Sequence, residues 1–224
     1  MTVPSPVGPA PAHRATVALF GTSADPPTLG HRRLLEGLLQ HYPQVATWAS
    51  DNPLKQHAAP LHLRTALLAA VVEAIAEPRL QLVQELSSPW AIDTLARAQR
   101  RWPGQPLVFV VGSDLVPQIP RWKEAPAVLR CCRVAIAPRQ GWPLQPASLE
   151  ALQQLGARVE VLDLAIPATA SSRFRAQPDP RALPAELWPV LLQHNREAPD
   201  PYGLSAADAP GPGPAQCPRG RSGG

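Results

Sequence analysis

Residues 16–31 have the sequence TVALFGTSADPPTLGH, and this stretch decides the fold. The apolar run Thr16–Phe20 predicts a buried parallel strand, and Thr28 precedes a helix that carries leucines on one face. A glycine turn and a rigid Asp-Pro-Pro lie between them. Such a turn aims the free N–H groups and the positive dipole end of the helix at whatever lies beyond the strand. The stretch therefore predicts a phosphate site, where Gly21 lets a ligand approach the backbone and His31 adds a donor that can become cationic.

The composition fits one folded α/β domain with flexible ends. The chain has 224 residues, of which 45% are apolar and 17% are charged, and this is enough for a substantial core. Its 30 prolines are concentrated partly at the two ends. We therefore expect a flexible extension over residues 1–14, one folded domain over 15–204 and a flexible Pro/Gly-rich tail over 205–224.

Charge and cysteine content argue against several classes of protein. A net charge of +4 suits anionic small molecules better than a nucleic-acid duplex, so we expect no nucleic-acid partner. The three cysteines, two of them adjacent, suggest neither a disulfide framework nor a metal quartet. No apolar segment is long enough for a signal peptide or a membrane span, so we expect a cytoplasmic protein without a membrane partner.

Apolar runs and amphipathic patterns alternate along the chain. The predicted strands are Thr16–Phe20, Val45–Ala49, Arg79–Val83, Leu107–Val111, Arg133–Ala137 and Arg158–Leu162. The predicted helices are His31–His41, Leu61–Ala76, Ala91–Trp102, Ala125–Leu129, Ala147–Leu155 and Ala185–His194. This repeated β-α-β order indicates a Rossmann-like, doubly wound parallel sheet, which binds ligands beyond the carboxyl ends of its strands. The sequence has no G-x-G-x-x-G, so it does not support a dinucleotide-dependent dehydrogenase.

Polar and aromatic residues follow several of these strands, at the edge where a ligand would bind. Lys55 comes after the second strand and is either a phosphate contact or a solvated loop lysine. Trp122 comes after the fourth strand and is either a flat face for a ligand ring or a core residue. Near the end of the domain, Ser171 and Ser172 can cap a helix and donate, and Arg175 can clamp phosphate oxygens. An N-capped surface helix with solvated arginines is the alternative there.

These segments together resemble the nicotinate-mononucleotide adenylyltransferases of the (H/T)xGH nucleotidyltransferase superfamily. Residues 20–31 resemble the motif G-G-T/S-F-D-P-x-H-x-G-H, with Phe20 and Ala24 as departures and Thr28 in place of the first histidine. Residues 87–95 resemble a Y-T-x-x-T-L segment, and residues 112–122 resemble a G-x-D segment followed by a tryptophan. Residues 168–175 resemble I-S-S-T-x-I-R, with Ala170 in place of the first serine. The loops look cyanobacterial.

The resemblance implies transfer of an adenylyl group from ATP to nicotinate mononucleotide, which yields nicotinate-adenine dinucleotide and pyrophosphate in NAD biosynthesis. It implies Mg²⁺ carried by the ATP phosphates, with no metal ligands from the protein. The implied catalytic residues are Thr28, His31 and Arg175. The implied ATP-binding residues are Gly21, Thr22, Ser23, Gly30, His31, Gly112, Asp114, Arg139, Ser171, Ser172 and Arg175. The implied acceptor-binding residues are Asp25, Lys55, Trp90, Thr94 and Trp122.

Two other functions stay open at this point. A pantetheine-phosphate adenylyltransferase would share the first and last motifs, although the segments around Trp90 and Trp122 favour a pyridine nucleotide. A degenerate nucleotide-binding module without turnover is allowed by the departures Phe20, Ala24, Ala91 and Ala170. The sequence does not decide between nicotinate and nicotinamide mononucleotide, nor does it give the oligomeric state.

Overall fold

The computed structural model describes residues 16–51, 55–164, 166 and 170–210. Within them six strands form one parallel sheet: β1 Val17–Thr22, β2 Gln44–Ala49, β3 Leu80–Leu82, β4 Leu107–Gly112, β5 Arg133–Ala137 and β6 Arg158–Val161. The α-helices are α1 Leu29–His41, α2 Leu61–Ile75, α3 Ala91–Arg101, α4 Ala125–Cys131, α5 Pro146–Gln154, α6 Ser171–Ala176 and α7 Trp188–Glu197. Both sets agree closely with the predicted elements, because the apolar periodicity of each segment is strong.

The strand order is β3-β2-β1-β4-β5-β6, and every neighbouring pair is parallel. The chain therefore runs outward from β1 in one direction and then returns to build the other half from β4. This is the doubly wound Rossmann order, with its topological switch point between β1 and β4. The predicted fold class is confirmed.

Alternation along β1 explains why helices cover both faces of the sheet. Ala18 and Phe20 face one layer and pack with leucines of α1 and α2. Val17 and Leu19 face the other layer and pack with Leu95 of α3. Successive side chains of a strand point to opposite faces, so a strand with apolar residues at every position needs a cover on both sides.

Three local features differ from the sequence predictions. Residues Ser113–Arg121 form a long 3-10 helix, where Pro117 and Pro120 lack the N–H groups of a regular α-helix. The predicted helix Ala185–His194 divides into a 3-10 turn, Ala185–Leu187, and α7. Residues 205–210, which the sequence assigned to the tail, include a 3-10 turn at Ala206–Asp208.

Candidate active site

A cleft of about 670 Å³ lies at the carboxyl edge of the sheet, over the switch point. Its floor comes from the ends of β1 and β4, and its walls come from the starts of α1, α3 and α6 and from the loop after β5. A parallel sheet leaves such a crevice where adjacent connections depart to opposite faces. The cleft lies at the edge of the sheet where the sequence predicted a ligand site.

The cleft brings together predicted site residues from six separate segments, and of the predicted residues only Asp25 and Thr28 do not line it. The predicted residues that line it are Gly21, Thr22, Ser23, Gly30, His31, Lys55, Trp90, Thr94, Gly112, Asp114, Trp122, Arg139, Ser171, Ser172 and Arg175. Residues 52–54, which precede Lys55, and residues 168–169, at the start of the last motif, lie outside the described residues.

Thr28 is fully buried and acts on His31 instead of facing the cleft. The Thr28 backbone N–H donates to His31 Nδ1 at 3.1 Å, and Thr28 Oγ1 lies 2.9 Å from the same nitrogen. Because an amide can only donate, Nδ1 carries a lone pair and the ring proton resides on Nε2. This capping box at the start of α1 thus makes Thr28 the residue that fixes the tautomer and orientation of His31.

The position of His31 in the structure disfavours the cationic form that the sequence allowed. Burial, together with the positive charge of Arg139, lowers the pKa of His31 from its usual 6.5 to about 4. The sequence suggested that free N–H groups at the start of this helix would bind a phosphate. The backbone N–H of His31 is not one of them, because it donates to the Thr28 carbonyl at 2.9 Å. What His31 presents to a ligand is a neutral Nε2–H donor at the positive end of α1.

Asp25 is an interior anchor and does not contact the cleft, contrary to its predicted place in acceptor binding. Its side chain is completely buried and accepts hydrogen bonds from the backbone N–H groups of Ala58, at 2.8 Å, and Ala59, at 3.1 Å. The hydroxyl of Tyr202 donates to it at 2.9 Å from near the end of the domain. A buried carboxylate needs such partners, and here they join the first turn to two distant segments.

Gly21 makes room for a side chain of the protein and not primarily for a ligand. Gly21 of β1 is paired with Trp48 of β2, and a Cβ added to it would lie 2.6 Å from the indole ring. Trp48 is only 2% exposed and also lines the cleft. No sequence pattern singled out Trp48, because an aromatic residue in a buried strand is typical of any core.

Gly112, Asp114 and Arg139 form one charged unit on the opposite wall. A Cβ on Gly112 would lie 2.4 Å from Asp114 Oδ1, so the glycine allows the carboxylate to fold back over the end of β4. Arg139 Nη1 donates to Asp114 Oδ2 at 2.7 Å. One carboxylate oxygen therefore stays available as an acceptor for a ligand hydroxyl while the pair holds both side chains in place.

Helix α6 is tied to the turn that follows β1. Ser171 Oγ donates to the Pro26 carbonyl at 2.8 Å, and Arg175 Nη1 donates to the Asp25 carbonyl at 2.6 Å. The same nitrogen lies 3.4 Å from the Asp25 carboxylate. These contacts fix the last motif beside the first one, and the partly exposed guanidinium of Arg175 still reaches the cleft.

Aromatic residues form the wall on the other side of the sheet. Trp122 is half-buried and makes an edge-to-face contact with Phe109, with ring centroids 5.8 Å apart. Trp90 is 42% exposed, and the Lys123 ammonium lies over its ring, 5.5 Å from the centroid. Trp122 thus has one packed side and one side toward the cleft, which is intermediate between the two alternatives that the sequence left open.

Arg64, in the first turn of α2, also has a structural place. It is 1% exposed and donates to the carbonyl oxygens of Ser23, Ser50 and Ala59 at 2.7–3.1 Å. It also pairs with Asp51 at 2.9 Å. Arg64 therefore stabilises the loops behind the cleft.

The charge of the cleft lining is strongly positive. Among the described residues, the only acidic side chain in the lining is Asp114, whereas five basic side chains line it: Lys55, Arg121, Lys123, Arg139 and Arg175. Such a basic cleft suits a polyanionic ligand.

The described part of the chain contains no cluster of three or more His, Cys, Asp or Glu side chains that could hold a metal ion. Among the described helices, none has both the length and the apolar character that a membrane span requires.

The fold and this cleft define a nucleotide-binding α/β protein, and comparison with known proteins places it more closely. Residues 19–177 match the family model described as cytidylyltransferase-like. The chain is 40% identical over 192 residues to a probable nicotinate-nucleotide adenylyltransferase of Synechocystis sp., covering 79% of this chain and 96% of the relative. It is 30% identical over 193 residues to a protein of the same description from Chlorobaculum tepidum, with the same coverage.

Solved structures agree with the fold. Nicotinic acid mononucleotide adenylyltransferase of Plasmodium falciparum, complexed with NaAD, superposes with a TM-score of 0.66 at 17% identity, covering 80% of this chain and 96% of that one. At this identity the likeness concerns the fold alone. With the family match and the close relatives, the chain belongs to the cytidylyltransferase-like family and is a nucleotidyltransferase.

Proposed function

We propose that this protein transfers the adenylyl group of ATP to nicotinate mononucleotide, releasing pyrophosphate and forming nicotinate-adenine dinucleotide. The proposal rests on one observation: a single basic cleft is lined by the motif that contains His31 and the motif that contains Arg175. Trp90 and Trp122 line its other side. The relatives named as nicotinate-nucleotide adenylyltransferases support the same reaction.

The chemistry needs no nucleophile or general base from the protein. The phosphate of the acceptor is already an anion and attacks the α-phosphorus of ATP in line, while pyrophosphate leaves. Catalysis then consists of positioning and of stabilising negative charge in the transition state. The neutral Nε2–H of His31, held by Thr28, donates to the reacting triphosphate, and Arg175, with Ser172, binds the departing pyrophosphate.

The adenosine and the acceptor occupy opposite ends of the cleft in this proposal. The free oxygen of Asp114 accepts from a ribose hydroxyl of ATP, and Arg139 contributes positive charge nearby. The cleft-facing side of Trp122 stacks on the pyridine ring of the acceptor, with Trp90 and Thr94 close to it. Lys55 approaches the acceptor phosphate from the loop after β2.

A divalent cation enters with the ATP and not as a resident cofactor. Nucleotidyltransferases of this kind use a divalent metal with ATP, and we expect Mg²⁺, which binds phosphate oxygens and keeps several waters. The one carboxylate in the described lining is already paired with Arg139. The metal is therefore part of the substrate, MgATP.

Pyrophosphate release tests this function directly. The purified protein is supplied with MgATP and, in separate reactions, nicotinate mononucleotide, nicotinamide mononucleotide or pantetheine phosphate. We expect release with a pyridine mononucleotide and none with pantetheine phosphate. Release with pantetheine phosphate would favour the sister activity. Failure to release pyrophosphate with any of the three acceptors would favour a binding module without turnover.

A pair of histidine variants then tests the assigned catalytic donor. His31→Ala should lower kcat by roughly 10²–10³-fold, the usual effect of losing one transition-state donor. His41→Ala, at the exposed far end of the same helix, is the matched control and should keep kcat. Equal kcat in both variants would remove His31 from the mechanism.

A further inference from the structure

Lys123 stands at the acceptor end of the cleft with no assigned role. It directly follows Trp122 in the chain, and its ammonium lies over the ring of Trp90, 5.5 Å from the centroid. The side chain lines the cleft and makes no ion pair with any described residue. The charge of Lys123 is therefore available to a ligand between the two tryptophans.

The backbone at this position is firmly held. The N–H of Trp122 donates to the Ile119 carbonyl at 3.0 Å, and the N–H of Ala125 donates to the Trp122 carbonyl at 3.1 Å. Glu124 adopts a left-handed conformation, with φ of 55°, and its carbonyl accepts from the first turn of α4. Lys123 thus projects from a fixed point, so that ordering its side chain on a ligand costs only side-chain entropy.

The candidate acceptors differ by one charge at the edge of the pyridine ring. Nicotinate carries a carboxylate there, whereas nicotinamide carries a neutral amide. Trp122 and Lys123 line the same cleft, so in this proposal the substituted edge of a ring stacked on Trp122 faces the Lys123 ammonium. An ammonium attracts the carboxylate and gains much less from the amide, and this attraction is stronger beside aromatic surfaces that exclude water.

We propose that Lys123 is a specificity-determining residue, which selects an acceptor that carries a carboxylate on its pyridine ring over the corresponding amide. The proposal rests on the adenylyl transfer proposed above. It assigns the selectivity between the two acceptors to one side chain.

Kinetics with both acceptors test the proposal. In Lys123→Gln, kcat/KM for nicotinate mononucleotide should fall roughly 10-fold, as expected for one charged hydrogen bond. The value for nicotinamide mononucleotide and the KM for ATP should stay close to those of the unmodified protein. Lys123→Arg keeps the charge and should keep most of the preference.

Arg121→Gln is the matched control, because Arg121 is an exposed cation of the same loop that also lines the cleft. Its loss should affect both acceptors equally. An equal fall for the two acceptors in Lys123→Gln would show that Lys123 attracts the common phosphate and would overturn the proposal. An unchanged preference, or no preference in the unmodified protein, would overturn it as well.

Binding provides a readout that does not depend on turnover. Quenching of tryptophan fluorescence gives the Kd of each mononucleotide, and the ratio of the two values should move toward one in Lys123→Gln. If the unmodified protein binds both but transfers to neither, the proposed reaction fails, whereas the Kd ratio still decides the role of Lys123. Because the Lys123 side chain is exposed, Lys123→Gln should leave the Tm unchanged in a thermal melt.

Discussion

Tyr202→Phe isolates one hydrogen bond that links the end of the domain to its first turn. The Tyr202 hydroxyl donates to Asp25 Oδ1 at 2.9 Å, and Asp25 is fully buried. Burial and the neighbouring Asp25 charge raise the pKa of Tyr202 above its ordinary value, so the hydroxyl stays protonated at neutral pH. Phenylalanine keeps the ring and its edge-to-face contact with Phe174, so that only the donor is lost.

The expected loss of stability depends on which hydrogen-bond partners the Asp25 carboxylate retains in the variant. Asp25 retains the N–H groups of Ala58 and Ala59 and the nearby Arg175, but no water reaches the vacated position easily because the site is buried. A hydrogen bond to a charged group contributes about 1.5–3 kcal/mol to the free energy of unfolding. For a domain of this size, that loss corresponds to a fall in Tm of roughly 3–12 °C.

Tyr42→Phe is the matched control. Tyr42 is also a buried tyrosine whose hydroxyl donates to a carboxylate, but its acceptor, Glu160, is 32% exposed. Water can replace the lost donor there, so we expect a cost below about 1 kcal/mol. Chemical denaturation and thermal melts of both variants give the comparison. If Tyr202→Phe costs no more than Tyr42→Phe, the assignment of Asp25 as an interior anchor is wrong.

Three further predictions concern the cleft. Acidification from pH 7 to pH 5 should lower the free energy of unfolding of the unmodified protein by more than it lowers that of the His31→Ala variant. Denaturant unfolding of both proteins at each pH measures the difference. The reason is that the folded-state pKa of His31 is about 4, so that between pH 6.5 and 4 only the unfolded chain takes up this proton. Gly21→Ala should lower the free energy of unfolding by about 1–3 kcal/mol in a thermal melt, because its Cβ would lie 2.6 Å from the buried Trp48 ring; an unchanged Tm would show that the ring moves aside freely. Trp122→Ala should raise the KM for the acceptor roughly 2–13-fold and leave the KM for ATP unchanged in steady-state kinetics. A parallel rise in both constants, with a large loss of stability, would mean that the contact with Phe109 makes Trp122 a core residue.

Local sequence was sufficient for the order of elements and for the place of the cleft. Each strand is a short apolar run, and each main helix has an apolar face, so that both were recognisable without tertiary information. The segments that lead from a strand into the start of the following helix meet at the carboxyl edge of a parallel sheet. This is why His31, Lys55, Asp114 and Arg175 were all predicted to lie near the ligand, and all of them line the cleft.

Tertiary structure alone decided which of these residues face a ligand and which support the site. Asp25 and Thr28 lie within the predicted motif, yet both are buried, because partners distant in the chain or one turn ahead occupy their polar atoms. The pKa of His31 depends on burial and on Arg139, and the role of Gly21 depends on the ring of Trp48 in the adjacent strand. Residue types and spacing determine local conformation, whereas burial and charge pairing arise only when segments far apart in sequence pack together.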